Sequence, residues 1–278
     1  MIARRETNVR TGARVSAALA AWLIVGSPLH AQDKPNDAAS DKVPAKSCEV
    51  PEHLLTSDEE LKKTAEAIRQ TRKLDVLVVG TGSSSLSGPG AQAVAYPASL
   101  EVALRQTLEG VNVSVAVEIQ PRATAADTAE VIAKLLADKA LADRKPALVV
   151  WQTGTIDAMR AVDLEDFRTA LEEGIAAIQE AGADVVLMNM QYSPRTETII
   201  SASPYMDMMK AVAQQHDVVL FDRFAVMHHW SETGEFDLYG AFHGLALARR
   251  VHECIGRALA AQVRNAAHLA PQQSRIPQ

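Results

Sequence analysis

The sequence predicts a three-layer α/β/α sandwich around a five-stranded parallel sheet. Three observations carry this. Near-continuous apolar, β-branched runs occur at 74–79, 111–119, 147–152, 184–190 and 217–221, the pattern of strands covered on both faces. Segments of helical spacing separate them, so strand and helix alternate along the chain. Residues 55–266 then form one domain's length of chain, with no internal repeat and enough residues for a single large core.

In order, the chain opens on a basic stretch (Arg4, Arg5, Arg10, Arg14) followed by a short apolar run at 15–25 and small residues up to Ala31. That run is too short to span a bilayer and reads as a signal peptide, residues 1–31, cut after Ala31. Residues 32–54 are polar and proline-spaced, a flexible tether. Ser57-Asp-Glu-Glu60 is a capping box that opens a helix to about Arg72. Further helices are predicted at 97–108, 125–136, 164–180, 204–215 and 245–263, with a short helical segment ending in His228-His229-Trp230 after the fifth strand. Residues 267–278 read as a disordered tail.

The formal net charge of −6 becomes −9 once the leader's four arginines and one glutamate are removed. With no basic stripe, nucleic acid is excluded as a partner, and no second apolar run reaches membrane-spanning length, so the mature chain is read without a span. The two cysteines, Cys48 and Cys254, both survive cleavage. In an exported, periplasmic or secreted chain this even pair suggests a disulfide from the tether to the last helix. No His/Cys/Asp/Glu spacing suits a metal.

The most informative stretch follows the first strand: Val78-Val79-Gly80-Thr81-Gly82-Ser83-Ser84-Ser85-Leu86. The carboxyl ends of strands line the ligand crevice of open α/β sheets, so this hydroxyl cluster is placed for chemistry on a small molecule. It is not a nucleophile elbow, because Leu86 stands where Gly-x-Ser-x-Gly needs its second glycine. It is not a dinucleotide fingerprint, because Ser85 replaces the third glycine, and it has no lysine for a phosphate loop. Read by itself it is a hydroxyl-rich surface loop.

Further motifs recur in order. Tyr96-Pro97-Ala-Ser-Leu100 opens the next helix, Ala123-Thr124-Ala125-Ala126-Asp127 follows the second strand, and Trp151-Gln152-Thr153-Gly154-Thr155-Ile156-Asp157 ends the third. With Gly82–Ser85 these resemble the blocks of the SGNH, or GDSL-type, serine hydrolases, over roughly 74–260. The resemblance implies a flavodoxin-like hydrolase fold and an acyl-ester hydrolase needing no cofactor. Ser84 is its nucleophile and His243, just before the last helix, its base. The oxyanion is held by the N–H groups of Ser84 and Arg122, with Gln152, Gly154 and Thr155 beside them. The departures are specific. Arg122 stands where the family has a glycine, and Ile156 replaces an asparagine donor, a loss that costs roughly 10²–10³ in rate. Gly240 stands where Asp-x-x-His needs its aspartate, leaving Asp237 or a backbone carbonyl to orient the ring. His228 and His229 are alternative bases, against a plainer role packing beside Trp230, and His252 reads as surface or disulfide-flanking. Asn189, Gln191 and Tyr192 after the fourth strand are candidate pocket rim. The substrate so implied is a small-molecule or glycan ester, acetyl among the acyl groups considered. The alternative reading is a catalytically impaired binding module of the cell envelope, recognising a glycan or another exported protein.

Overall fold

The computed structural model describes residues 48–88, 90–138, 145–239 and 245–269. The leader, the tether up to residue 47, the stretch 240–244 with Gly240 and His243, and residues 270–278 lie outside the described residues.

Five strands, β1 (Lys73–Gly80), β2 (Asn112–Ile119), β3 (Leu148–Gln152), β4 (Asp184–Met188) and β5 (Val219–Phe221), form one sheet in the order β2-β1-β3-β4-β5. Every pairing is parallel. Side chains alternate between the two faces of a strand, and the core divides accordingly. Leu74, Val76 and Val78 of β1 pack with α1 (Lys62–Thr71), α2 (Tyr96–Thr107), α8 (Arg223–Glu232) and α9 (Leu245–Ala266). Leu77 and Val79 face the other way, with Trp151, toward α3 (Ala125–Ala137), α5 (Leu164–Glu180) and α7 (Ser203–Gln215). Two short helices, α4 (Thr155–Arg160) and α6 (Pro194–Glu197), follow β3 and β4.

Several local expectations are corrected. The Ser57 capping box does not form: Ser57 Oγ bonds the Glu59 carboxylate, and α1 starts at Lys62 with no side-chain cap. A capping box does form at α3, where Thr124 Oγ1 accepts from Asp127 N–H and Asp127 accepts from Thr124 N–H. Predicted as covered on both faces, β2 is an edge strand with much of its length exposed. The fifth strand begins at Val219 rather than 217, because Asp217 sits at φ 53° and cannot continue an extended run. The packed chain also runs past both expected boundaries. Trp230 Nε1 donates to Glu49 O at 2.8 Å, Leu54 and Leu55 pack on the core, and Ala267 is buried. Among the described residues no helix is long and apolar enough to cross a membrane.

The disulfide joins Cys48 to Cys254 across 206 residues. Closing so long a loop restricts the unfolded chain, an effect of about 2–5 kcal/mol. Cys48→Ser is expected to lower stability by that amount, read as a fall in the midpoint of urea unfolding.

Candidate active site

The strand order reverses direction between β1 and β3, which opens a crevice at their carboxyl ends. Chain leaving β1 enters it as one 3-10 turn, Gly82–Ser84. Gly80, the last residue of β1, is required here: a Cβ on it would lie 2.2 Å from Ser84 Oγ. Ser84 therefore folds back over the strand end and is fully buried. Its Oγ donates to Gln152 Oε1 at 2.9 Å and lies 3.1 Å from Tyr96 Oη. Its N–H is taken by Thr81 O at 2.9 Å, so it is not offered to an oxyanion.

Ser83 is the half-buried serine of the pair, at the rim of the crevice. Its Oγ donates to Gln152 Oε1 at 3.2 Å and accepts from Arg223 Nη1 at 3.4 Å. Thr81 adds its N–H (3.1 Å) and Oγ1 (2.9 Å) to the same Gln152 oxygen. Four donors thus converge on Gln152 Oε1, while its Nε2 is buried without a hydrogen-bond partner. Thr153 Oγ1, Thr155 Oγ1 and Arg223 Nε are also buried and unpartnered. Native proteins leave few such atoms; these four lie at or just past the carboxyl ends of β3 and β5, with donor hydrogens to spare for an acceptor.

The loops after β2 and β3 are tied to each other. Asp157 is buried, and its carboxylate accepts Ala125 N–H at 2.9 Å, which fixes the start of α3 against α4. Burial pushes the Asp157 carboxyl above its usual range, with that hydrogen bond opposing. Gly154 has φ 93°, and a Cβ there would meet Met209 Sδ at 3.0 Å. Arg122, where the resemblance expects a glycine, has a left-handed backbone at φ 63°, with its side chain exposed and its carbonyl bonded by Arg160. A side chain in that region costs about 1–2 kcal/mol, partly offset by the entropy glycine loses on folding. Arg122→Gly is expected to leave activity unchanged and to shift stability by between zero and about +1 kcal/mol, measured by thermal and urea unfolding.

The histidines separate clearly. His228 lies against Tyr192 and Phe224 with its Nδ1 3.4 Å from Glu232, and neither it nor His229 bonds a serine of the site. Asp237 is exposed and accepts Tyr239 N–H at 3.1 Å. His243 lies outside the described residues. His252 is not a surface residue: it is 5% exposed, and its Nδ1 accepts Tyr96 N–H at 3.1 Å. Burial, and then the charge of Arg223, push its pKa down to about 3. Burial also raises the pKa of Tyr96. Asn189 is structural, with Nδ2 on Asp222 and Oδ1 on Phe224 N–H.

Past the carboxyl ends of β3 and β4 lies a cavity of about 750 Å³ whose lining includes Thr155, Met159, Met190, Gln191, Ile199 and Ile200. Gln191, read from sequence as rim, lines it and accepts from Arg223 Nη2 at 3.3 Å. Sequence reasoning missed Arg223 and His252 as parts of this region, and within the serine cluster it singled out Ser84 rather than Ser83. The signal for Arg223 was its place just beyond the carboxyl end of β5. Among the described residues no cluster of three His, Cys, Asp or Glu is arranged to hold a metal.

A parallel sheet in this order, with a serine cluster at the exit of β1 and a glycine-aspartate loop after β3, is the architecture of the SGNH-type hydrolases. The chain belongs to the Non-GDSL lipase-like family, which it matches over residues 47–269. Among solved structures, TesA is 25% identical with a TM-score of 0.52, over 66% of this chain and 97% of that one. A lipase/acylhydrolase from Enterococcus faecalis is 19% identical, TM-score 0.52, over 72% and 100%. Axe2, an acetylxylan esterase from Geobacillus stearothermophilus, is 16% identical, TM-score 0.52, over 68% and 94%. The last two bear on fold alone. No curated protein matches at the sequence level.

Proposed function

We propose that this chain is an exported esterase that hydrolyses carboxylic esters through an acyl-serine intermediate. One observation carries the reading: a partly buried serine, Ser83, stands at the switch point of an SGNH-type sheet and is joined through Arg223 to Gln191, which lines a largely apolar cavity. Ser84, the nucleophile implied by the motif register, is enclosed between Gln152 and Tyr96 and serves instead as the anchor behind it. Ser83 Oγ attacks the ester carbonyl, and His243 takes its proton with Asp237 or a backbone carbonyl orienting the ring. The Arg122 N–H, Gln152 Nε2 and Thr155 Oγ1 receive the carbonyl oxygen; the ester C–O bond then breaks, the alcohol leaves with the proton from His243, and water releases the acid from the acyl-serine. Methionine and isoleucine in the cavity lining favour an acyl chain of several carbons over acetyl. The basic-apolar leader pattern and the disulfide support export.

A second reading, an SGNH-fold binding module, is favoured by Ile156, which has no side-chain donor. Hydrolysis of p-nitrophenyl esters from acetyl to dodecanoyl separates the two. Turnover rising with chain length and lost in Ser83→Ala supports the esterase; no turnover by well-folded protein from pH 6 to 9 supports the binding module.

A further inference from the structure

Arg223 is fully buried, yet among the described residues no carboxylate pairs with it. The adjacent Asp222 is committed elsewhere, its Oδ1 holding Ala225 N–H and Asn189 Nδ2. Withdrawing a lone cation from water costs several kcal/mol even after relaxation, and an arginine serving as mere filler would be replaced at a gain by an apolar side chain. Its donors are instead spent on one residue of the crevice: Nη1 on Ser83 Oγ at 3.4 Å, and Nη2 on Ser83 O at 3.1 Å. Nη2 also reaches Gln191, the cavity-lining side chain, and Nε–H has no acceptor. The titratable groups facing it from neighbouring helices are Tyr96 of α2, whose ring centroid is 5.7 Å from the guanidinium carbon, and His252 of α9. Neither brings a negative charge at neutral pH. Burial lowers the pKa of Arg223 to about 10, so it remains a cation there.

We propose that Arg223 is the electrostatic catalyst of this site: its uncompensated charge stabilises the negative charge that passes through Ser83 Oγ onto the ester oxygen. The inference rests on the esterase reading. In the step, the Ser83 O–H bond breaks and its proton leaves to a general base, an imidazole or hydroxide. The oxygen's electron pair forms the bond to the acyl carbon, and the carbonyl π pair moves onto the carbonyl oxygen. A positive charge already fixed beside these atoms needs no reorganisation when the negative charge appears. It supplies the positive end that Ile156 lacks.

The test is the rate of covalent labelling by a fluorophosphonate probe, measured from pH 6 to 10 on the full chain and on Ser83→Ala, Arg223→Met and Arg223→Lys. Melting by circular dichroism confirms that each is folded. The expected result is labelling of the wild type that Ser83→Ala abolishes. Arg223→Met should label roughly 10²-fold more slowly, with its pH profile displaced upward, and Arg223→Lys should recover part of the rate by restoring the charge. Wild-type labelling that Ser83→Ala abolishes but Arg223→Met leaves unchanged in rate and pH profile overturns the role of Arg223 alone. A folded Arg223→Lys no faster than Arg223→Met also overturns it. No labelling of the wild type overturns the esterase reading and this inference together.

Discussion

Ser83→Ala is expected to reduce kcat for ester hydrolysis by roughly 10³–10⁶-fold while leaving the fold intact, because it removes the attacking oxygen and little else. Ser83 is half-buried and its partners are at 3.2 and 3.4 Å, so its loss leaves few strong bonds broken. Ser84→Ala should behave in the opposite sense. Removing that enclosed hydroxyl leaves Tyr96 Oη without its partner and costs about 1–3 kcal/mol of stability, with a smaller fall in kcat. Steady-state kinetics and urea unfolding on the two variants together check the assignment. If Ser84→Ala is the inactive one and Ser83→Ala retains wild-type kcat, the motif register was right and the crevice geometry misleading.

The second large effect is on acid stability. A histidine's ordinary pKa is about 6.5, and that of His252 in the fold is about 3. Between these values the unfolded chain binds a proton that the folded chain refuses. The stabilisation from neutral His252 is therefore present above pH 6.5 and is lost as pH falls toward 3, at up to about 1.4 kcal/mol per pH unit. His252→Gln keeps an acceptor for Tyr96 N–H and removes the titration. Urea midpoints should fall more steeply for the wild type than for the variant between pH 7 and pH 4. Equal slopes would show that His252 protonates freely in the fold.

Much of the fold was legible because periodicity reports burial. Continuous runs marked β1, β3 and β4, and helical spacing marked the covering layers. The edge position of β2 was not legible, since an apolar run does not state which neighbours it receives. The capping box was misplaced for a local reason: Ser57 and Glu59 satisfy each other, whereas Thr124 and Asp127 have the following backbone to hold. The site was legible as a region and not as atoms. Ser83, Ser84 and Gln152 hydrogen-bond to one another, but which of two adjacent hydroxyls is the less enclosed depends on one turn over Gly80. Arg223 comes from chain 140 residues beyond Ser83, and its contact with that residue arises only when β5 is laid at the far side of β4.

The disulfide has a consequence for the order of events in folding. Cys48 stands at the start of the packed chain and Cys254 in its final helix. A chain delivered amino end first exposes one thiol while its partner, 206 residues behind, has yet to arrive. Closure is then a late step, taken after the sheet has collapsed and α9 has docked. Until that moment the Cys48 thiol is open to exchange with any other disulfide, so refolding in oxidised glutathione should yield more mixed disulfide from nascent or truncated chains than from the finished protein.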